Sequence, residues 1–309
     1  MAGTMHTVLL TSDGQAVTCG GNGFNQCDIP PLPASLTYTQ VSAGEYHTVL
    51  LRSDGVVTTC GGNPNENLTI LPELPQGSTC TQIAAGGNHT VVLQNDGGAL
   101  ACGENVYGQC DIPSPPLGLA YTQVSAGLDN TALLRSDGTA AAYGFNRDAR
   151  CDIPVPAEGV TYTQVAAGGT HTVLLQSNGQ AIACGTNGQG QCEIPPLDEG
   201  TTYTQVSAGH MHTVLLRSDG GAIACGTNGY SQCDIPDLAP GEEYIHVAAG
   251  KFHTILLKRD GSAVSCGANP EGRCDIPSLA PGVRFVPGYV APGVVVRTEG
   301  YDCCSCVVV

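Results

Sequence analysis

Two residue types in this chain are numerous and regular enough to do chemistry, histidine and cysteine. His6, His47, His89, His171, His212 and His253 recur at one spacing, with Asn130 in the seventh place, and successive members lie 41 or 42 residues apart. Neutral imidazoles ligate metals and move protons, so such an array invites a zinc or acid–base reading. Zinc, however, needs four ligands converging on one point, and a strict repeat position holds its members apart. Asparagine also replaces a hydrogen-bonding imidazole more readily than it replaces a ligand. The six histidines are therefore expected to be structural, tying the backbone of one repeat to the next, with no metal site.

The chain has 16 cysteines. Five repeats carry a pair eight positions apart: Cys19 and Cys27, Cys102 and Cys110, Cys184 and Cys192, Cys225 and Cys233, Cys266 and Cys274. A disulfide ladder would use such pairs. Yet Leu68 stands at the partner position of Cys60, and Tyr143 at that of Cys151. Leucine and tyrosine substitute for a packed thiol, not for half a bridge, so buried reduced cysteines are expected. No secretory leader precedes the first repeat, which favours a reducing, cytoplasmic compartment. The glycosylation sequons at Asn67 and Asn88 then carry little weight. The chain ends Cys306-Val307-Val308-Val309, with Cys303 and Cys304 just upstream. This has the shape of a prenylation signal, which makes Cys306 a candidate lipidation site and the only route to a membrane. Valine is an unusual last residue for that signal and no polybasic patch accompanies it; the competing reading is an apolar strand padding the last unit.

No motif for catalysis is found. The serines sit in turns, and HExxH, phosphate-loop and complete calcium-loop patterns are missing, so neither an enzyme nor a cofactor is implied. Net charge is −16, from 27 Asp and Glu against 11 Lys and Arg. A nucleic-acid surface would be basic, so DNA and RNA are excluded as partners. Much of the acid lies in a recurring Cys-Asp-Ile-Pro segment, at Asp28, Asp111, Asp152, Glu193, Asp234 and Asp275. It reads as solvated surface that would also help recruit a basic protein.

The elements that must position these residues come from a tandem repeat. The segment YTQVSAGEYHTVLLRSDG from Tyr38 returns from Tyr121, Tyr162 and Tyr203 with few changes. Turn glycines give the register at Gly14, Gly55, Gly97, Gly138, Gly179, Gly220 and Gly261, and a weaker copy ends at Gly300. Each unit reads as four short strands: YTQV, HTVLL, AIACG and the CDIP stretch, which proline limits to an edge. Ser-Asp-Gly and Ser-Asn-Gly suggest two-residue hairpin turns between the second and third strands. Seven units of four strands predict an all-β, seven-bladed β-propeller of four-stranded blades, spanning residues 1–300, with a Cys-rich tail at 301–309. The first unit lacks its YTQV strand, and Val283 to Val286 is a spare one, so the ends are expected to join there. An alternative is that this last copy is a decayed eighth unit.

The motif AAGxxHTVLLxxDGxAxxCGxNxxGQC resembles the repeat of the regulator of chromosome condensation family, with cysteine where that repeat has tryptophan. The compact unit is similar to that of bacterial beta-lactamase inhibitor protein II, a relative that binds other proteins. The nuclear members of the family have longer units and a wedge insertion for nucleotide exchange, for which no unit here has room. The resemblance implies a non-enzymatic protein-interaction module, either a monomer or a subunit of a hetero-complex; a structural cap within a larger assembly is the alternative. It also supports binding through the loops after each Ala-Gly pair. In an up-and-down unit these loops share a side with the NxxGQ turns. Candidate partner-binding residues are Glu45, Tyr46, Asn88, Asp129, Met211, Lys251 and Phe252 in the first set. Phe24, Asn65, Glu66, Tyr107 and Tyr230 belong to the second. These positions vary while their flanks repeat, and aromatics and Met are typical interface anchors.

Overall fold

The computed structural model describes residues 1–62 and 74–287. Each repeat folds into three antiparallel strands, as in Tyr38–Ala43, His47–Arg52 and Val57–Gly61. The same triplet recurs at Tyr203–Ala208, His212–Arg217 and Ala222–Gly226. In the first sheet His6–Thr11 pairs with Ala16–Gly20 on one side and with Phe285–Val286 on the other. Ala2 bridges Thr7 beside that short strand.

The HTVLL strand is apolar without alternation because it is buried on both faces. Val49 and Leu51 pack towards the third sheet, against Ile83 and Val92, while Leu50 packs against Val8 and Val41. The core is thus seven clusters, one at each interface between consecutive sheets. The seventh gathers Leu9 of the first sheet with Ala248, Ile255 and Leu257 of the last and with Phe285. Each fully buried Leu or Val is worth about 1.5–3 kcal/mol.

The expected seven-bladed β-propeller of four-stranded blades is corrected by this topology. The described residues form seven separate three-stranded antiparallel sheets; no strand ladder joins one to the next, and none closes into a barrel. The CDIP stretch is not a strand. Its proline lacks an N–H to donate and its carbonyl is already engaged: the Tyr38 hydroxyl donates to Pro30 O at 2.7 Å, and Tyr203 to Pro195 O at 2.7 Å. The isoleucine beside it anchors the segment to the core, as Ile29 and Ile112 do. The segment is a packed link between sheets.

The hairpin turns differ from expectation as well. Gly55 N donates to Arg52 O at 3.0 Å, Arg52 N donates to Val56 O at 2.9 Å, and Gly55 alone takes a positive φ, +80°. This is a three-residue loop with glycine in the left-handed position, not a two-residue turn with two positive φ values.

Side chains link the separate sheets where the strands do not. Gln82 Nε2 donates to Val124 O at 2.8 Å, and Val124 N donates back to Gln82 Oε1 at 2.9 Å. Gln205 bridges to Val247 in the same way, and the Ser42 hydroxyl accepts from Ala85 N. These glutamines satisfy the strand edges that no ladder covers. The decayed copy at Gly300 and the tail cysteines Cys303, Cys304 and Cys306 lie outside the described residues, as do Asn65, Glu66, Asn67 and Leu68.

Candidate functional site

The histidines form a belt through the core. His6 Nε2 lies 2.7 Å from Thr48 Oγ1, His47 is 3.0 Å from Thr90, and His89 is 2.9 Å from Thr131. His171 reaches Thr213 at 2.8 Å, His212 reaches Thr254 at 3.1 Å, and His253 reaches Thr7 at 2.9 Å. In each pair the threonine belongs to the next repeat, or to the first when the histidine is in the last. The Thr48 hydroxyl also donates to Gln26 O at 2.7 Å, and Thr131 to Gln109 O at 2.7 Å. A hydroxyl whose proton is committed must accept from the imidazole, which fixes the Nε2–H tautomer. The acceptor is therefore a side chain, not the backbone expected from the sequence. Asn130 Nδ2 donates to Thr172 Oγ1 at 3.4 Å in the same geometry. Gly44 is needed beside this belt, because a Cβ there would lie 2.5 Å from the His47 ring. Burial holds His6, His89 and His171 down to about 3, and His47 and His212 to about 4.

Thirteen cysteines lie in the described residues and all are free. Burial pushes their thiols up, Cys60 and Cys184 to about 12, so they are not reactive thiolates. Among the described residues no cluster of three or more His, Cys, Asp or Glu side chains is arranged to hold a metal ion. No helix of the described residues is long and apolar enough to cross a membrane.

Both loop sets lie at one end of the sheets. The loop after each Ala-Gly pair passes a backbone hydrogen bond to the next repeat, as from Leu128 N to Gly168 O and from Lys251 N to Gly3 O. The first residues of these pairs, including Glu45, His210 and Lys251, line a central cavity of about 190 Å³. The second residues, Tyr46, Asn88, Asp129, Met211 and Phe252, lie outside that lining and meet the NxxGQ turns. Phe24 stacks on Tyr46 with ring centroids 4.7 Å apart, and Tyr230 on Phe252 at 5.4 Å. Tyr107 meets Phe145 edge-on at 4.9 Å. Each pair joins one repeat's turn to the next repeat. The turn member is the exposed one: Phe24 39%, Tyr107 47% and Tyr230 57%, with Val106 at 73% beside Tyr107.

The charges at this end are partly paired. Lys251 Nζ lies 3.0 Å from Glu45 Oε1, across the first repeat's loop. Asn88 Nδ2 donates to Glu104 at 3.1 Å. Burial raises the Asp129 carboxyl, and Glu104 and Glu45 add to this against the opposing pull of Arg150. Burial, with Lys251 nearby, lowers His210. Arg150 and Phe145 also lie at this end and were not singled out from the sequence. Arg150 stands where other repeats have Gln26, Gln109, Gln191 and Gln232; it pairs with Asp148 at 2.6 Å and lies 4.7 Å over the Phe145 ring. Arg273 of the last repeat stands at the same position, and these two departures from glutamine were the available signal. The CDIP acids are also less free than expected, since Asn22 Nδ2 donates to Asp28 at 2.8 Å and Asn105 to Asp111 at 2.7 Å.

The regulator of chromosome condensation (RCC1) repeat model matches residues 38–66, 80–109, 162–191 and 244–273. Four segments of the chain thus match the RCC1 repeat. No curated protein sequence matches it. Among solved structures it is similar to Prp20p from Saccharomyces cerevisiae, at 17% identity and TM-score 0.68, covering 81% of this chain and 79% of that one. It is also similar to human WBSCR16, at 17% identity and TM-score 0.66, covering 79% and 80%. The ectodomain of the Physcomitrella patens receptor kinase CR4 gives 17% and 0.68, covering 87% and 72%. At such identities the likeness is one of fold. The cytoplasmic assignment is corrected: an RCC1 repeat protein is of a family named for chromosome condensation, and Prp20p has been characterised for binding to Gsp1p and histones. Reduced cysteines do not by themselves single out the cytoplasm.

Proposed function

We propose that this chain is a non-enzymatic protein-interaction module, that it captures its partner through the loop end, and that the partner presents a basic surface. The observation that carries this reading is the set of three exposed aromatics, Phe24, Tyr107 and Tyr230, each backed by an aromatic of the next repeat. An exposed ring held in place by a second ring loses little freedom on binding, which is what an interface anchor requires. The net charge of −16 favours a basic partner. Prp20p, which shares the fold, has binding properties towards histones, which are basic proteins, and that supports the same choice.

The test uses immobilised full-length chain and mass spectrometry of what it retains. Changing Phe24, Tyr107 and Tyr230 together to serine is expected to weaken capture by about thirtyfold or more while leaving the melting curve nearly intact. Changing Arg52, Arg135 and Arg217 to serine at the opposite end should weaken it only slightly. Loss of the partner in the arginine variant alone would overturn the assignment of the working end.

A further inference from the structure

The loop end is not uniform around its circumference, and one sector of it has a defined chemistry. Val106 and Tyr107 project from the turn of the third repeat, and Tyr107 rests on Phe145 of the fourth. Glu104 precedes this turn and lies close enough to Asp129 to raise its carboxyl, and Asp129 O accepts from Phe145 N at 2.8 Å, so both acidic residues border the apolar patch. Neither makes an ion pair among the described residues, whereas Glu45 is matched by Lys251 and Asp148 by Arg150. Arg147 on the adjoining turn is an exposed cation of this sector, and Arg150 is committed to Asp148. Next to Glu104, the Asn88 Oδ1 acceptor is buried and has no hydrogen-bond partner. An exposed apolar surface bordered by two unmatched carboxylates and an unused acceptor fits a donor-rich cation attached to an apolar side chain.

We infer that the sector formed by Val106, Tyr107 and Phe145 with Glu104, Asp129 and Asn88 docks a segment of a partner protein in which lysine or arginine alternates with apolar residues. The apolar side chains cover Val106 and Tyr107, and the cations take the two carboxylates. Burial around Asp129 strengthens such a pairing over one at an open surface. The inference rests on the loop-end reading above and assigns it a sector and a partner chemistry.

The experiment measures fluorescence anisotropy of three labelled synthetic peptides with full-length protein at physiological ionic strength. One alternates Lys or Arg with Leu and Tyr, one is an oligolysine of equal charge, and one carries Glu in place of the cations. The first is expected to bind and the other two to bind at least about tenfold more weakly. Val106→Ser with Tyr107→Ser, and separately Glu104→Gln with Asp129→Asn, should each weaken the first peptide by about tenfold. The near-isosteric carboxamide pair guards against misreading a folding defect, and Leu117→Ser, at an exposed apolar position outside both loop sets, should leave binding unchanged. The inference is overturned if the first peptide does not bind, or if oligolysine binds as tightly and the Tyr107 change is silent. It is also overturned if Tyr230→Ser alone abolishes binding, in which case the loop-end reading survives in another sector. Loss only in the Arg52, Arg135 and Arg217 variant would overturn both.

Discussion

The two ends of the sheets are made by the same repeat under different constraints. At the turn end every repeat presents an Asp-Gly or Asn-Gly corner, and several basic residues there are matched locally: Arg52 by Asp54, Arg217 by Asp219 at 2.5 Å, Lys258 by Glu242 at 2.7 Å. At the loop end the flanks are equally constant, but the residues between them are aromatic in one repeat, acidic in another and glycine in a third. The turn end is solved once and copied. The loop end holds its backbone with the same hydrogen bonds throughout, and its side chains are released from that task. On the reading proposed above, variation there carries recognition, and uniformity at the turn end carries folding.

The largest effect should come from the joint between the chain ends, on which both sheet ends depend. Phe285 and Val286 pair with Thr11 and Leu10, and Phe285 is buried in the cluster between the last and first sheets. We propose that this segment joins the two ends of the chain. Deleting residues 283–309 removes a buried phenylalanine, about 3–5 kcal/mol by itself, and bares part of a strand edge. Calorimetry of the truncated chain should show a broadened, less cooperative transition or aggregation. A truncated chain that melts as the full-length one does would remove the joint from the account.

Much of this was legible in the sequence. The register and three of the four strands expected per unit follow from HTVLL, the Asp-Gly corners and the constant flanks. The partner of each histidine was not, although the HT dipeptide encodes both members, because the threonine that answers His47 is Thr90, one repeat away. The glutamine links were hidden for the same reason: Gln82 reads as the polar half of an alternating strand until Val124 is beside it. The CDIP stretch was misjudged because Ile29 and Ile112 look like strand residues, whereas they pack a link whose proline carbonyl is taken by a tyrosine. The aromatic pairs needed the register first, since Phe24 and Tyr46 are neighbours only across an inter-repeat contact.

The belt separates folding from recognition in a second way, through pH. The six histidines are buried and neutral, with values lowered from 6.5 to about 3 or 4 for five of them and well below 6.5 for His253. The unfolded chain binds protons at these sites from about pH 6.5 downwards while the folded chain does not. The stability is therefore fully present above 6.5 and is lost as pH falls through the window towards 4. Each histidine contributes a loss of about 1.4 kcal/mol per pH unit there. Urea midpoints at pH 7, 6 and 5 should fall steeply, before most carboxylates titrate. His212→Asn, copying Asn130, should cost about 1 kcal/mol at neutral pH and make the pH dependence shallower by one proton. A midpoint that stays flat from pH 7 to 5 would contradict neutral buried imidazoles.

The smallest effect tests the comparison at its sharpest. All seven turn-end corners place glycine at the left-handed position, from φ +76° at Gly14 to +83° at Gly261. The loop-end turns need the same conformation at one common position, yet fill it with Asn25, Gly108, Ala149, Gly190, Ser231 and Gly272 in the described repeats, the last of them preceded by Glu271 at φ +64°. Alanine at φ +63° carries a steric cost of about 1–2 kcal/mol, which glycine escapes at the expense of a more flexible unfolded chain. Ala149→Gly should then stabilise the protein by about 0.5–1 kcal/mol, and Ser231→Gly by a similar amount. Gly55→Ala should destabilise it by about 1–2 kcal/mol, since the left-handed φ disfavours any Cβ and Thr79 lies 3.2 Å from where it would sit. Chemical denaturation of the three variants decides the matter. If the loop-end glycines bring no gain, those turns are as well fitted as the corners, and the contrast between a folding end and a recognition end loses its energetic basis.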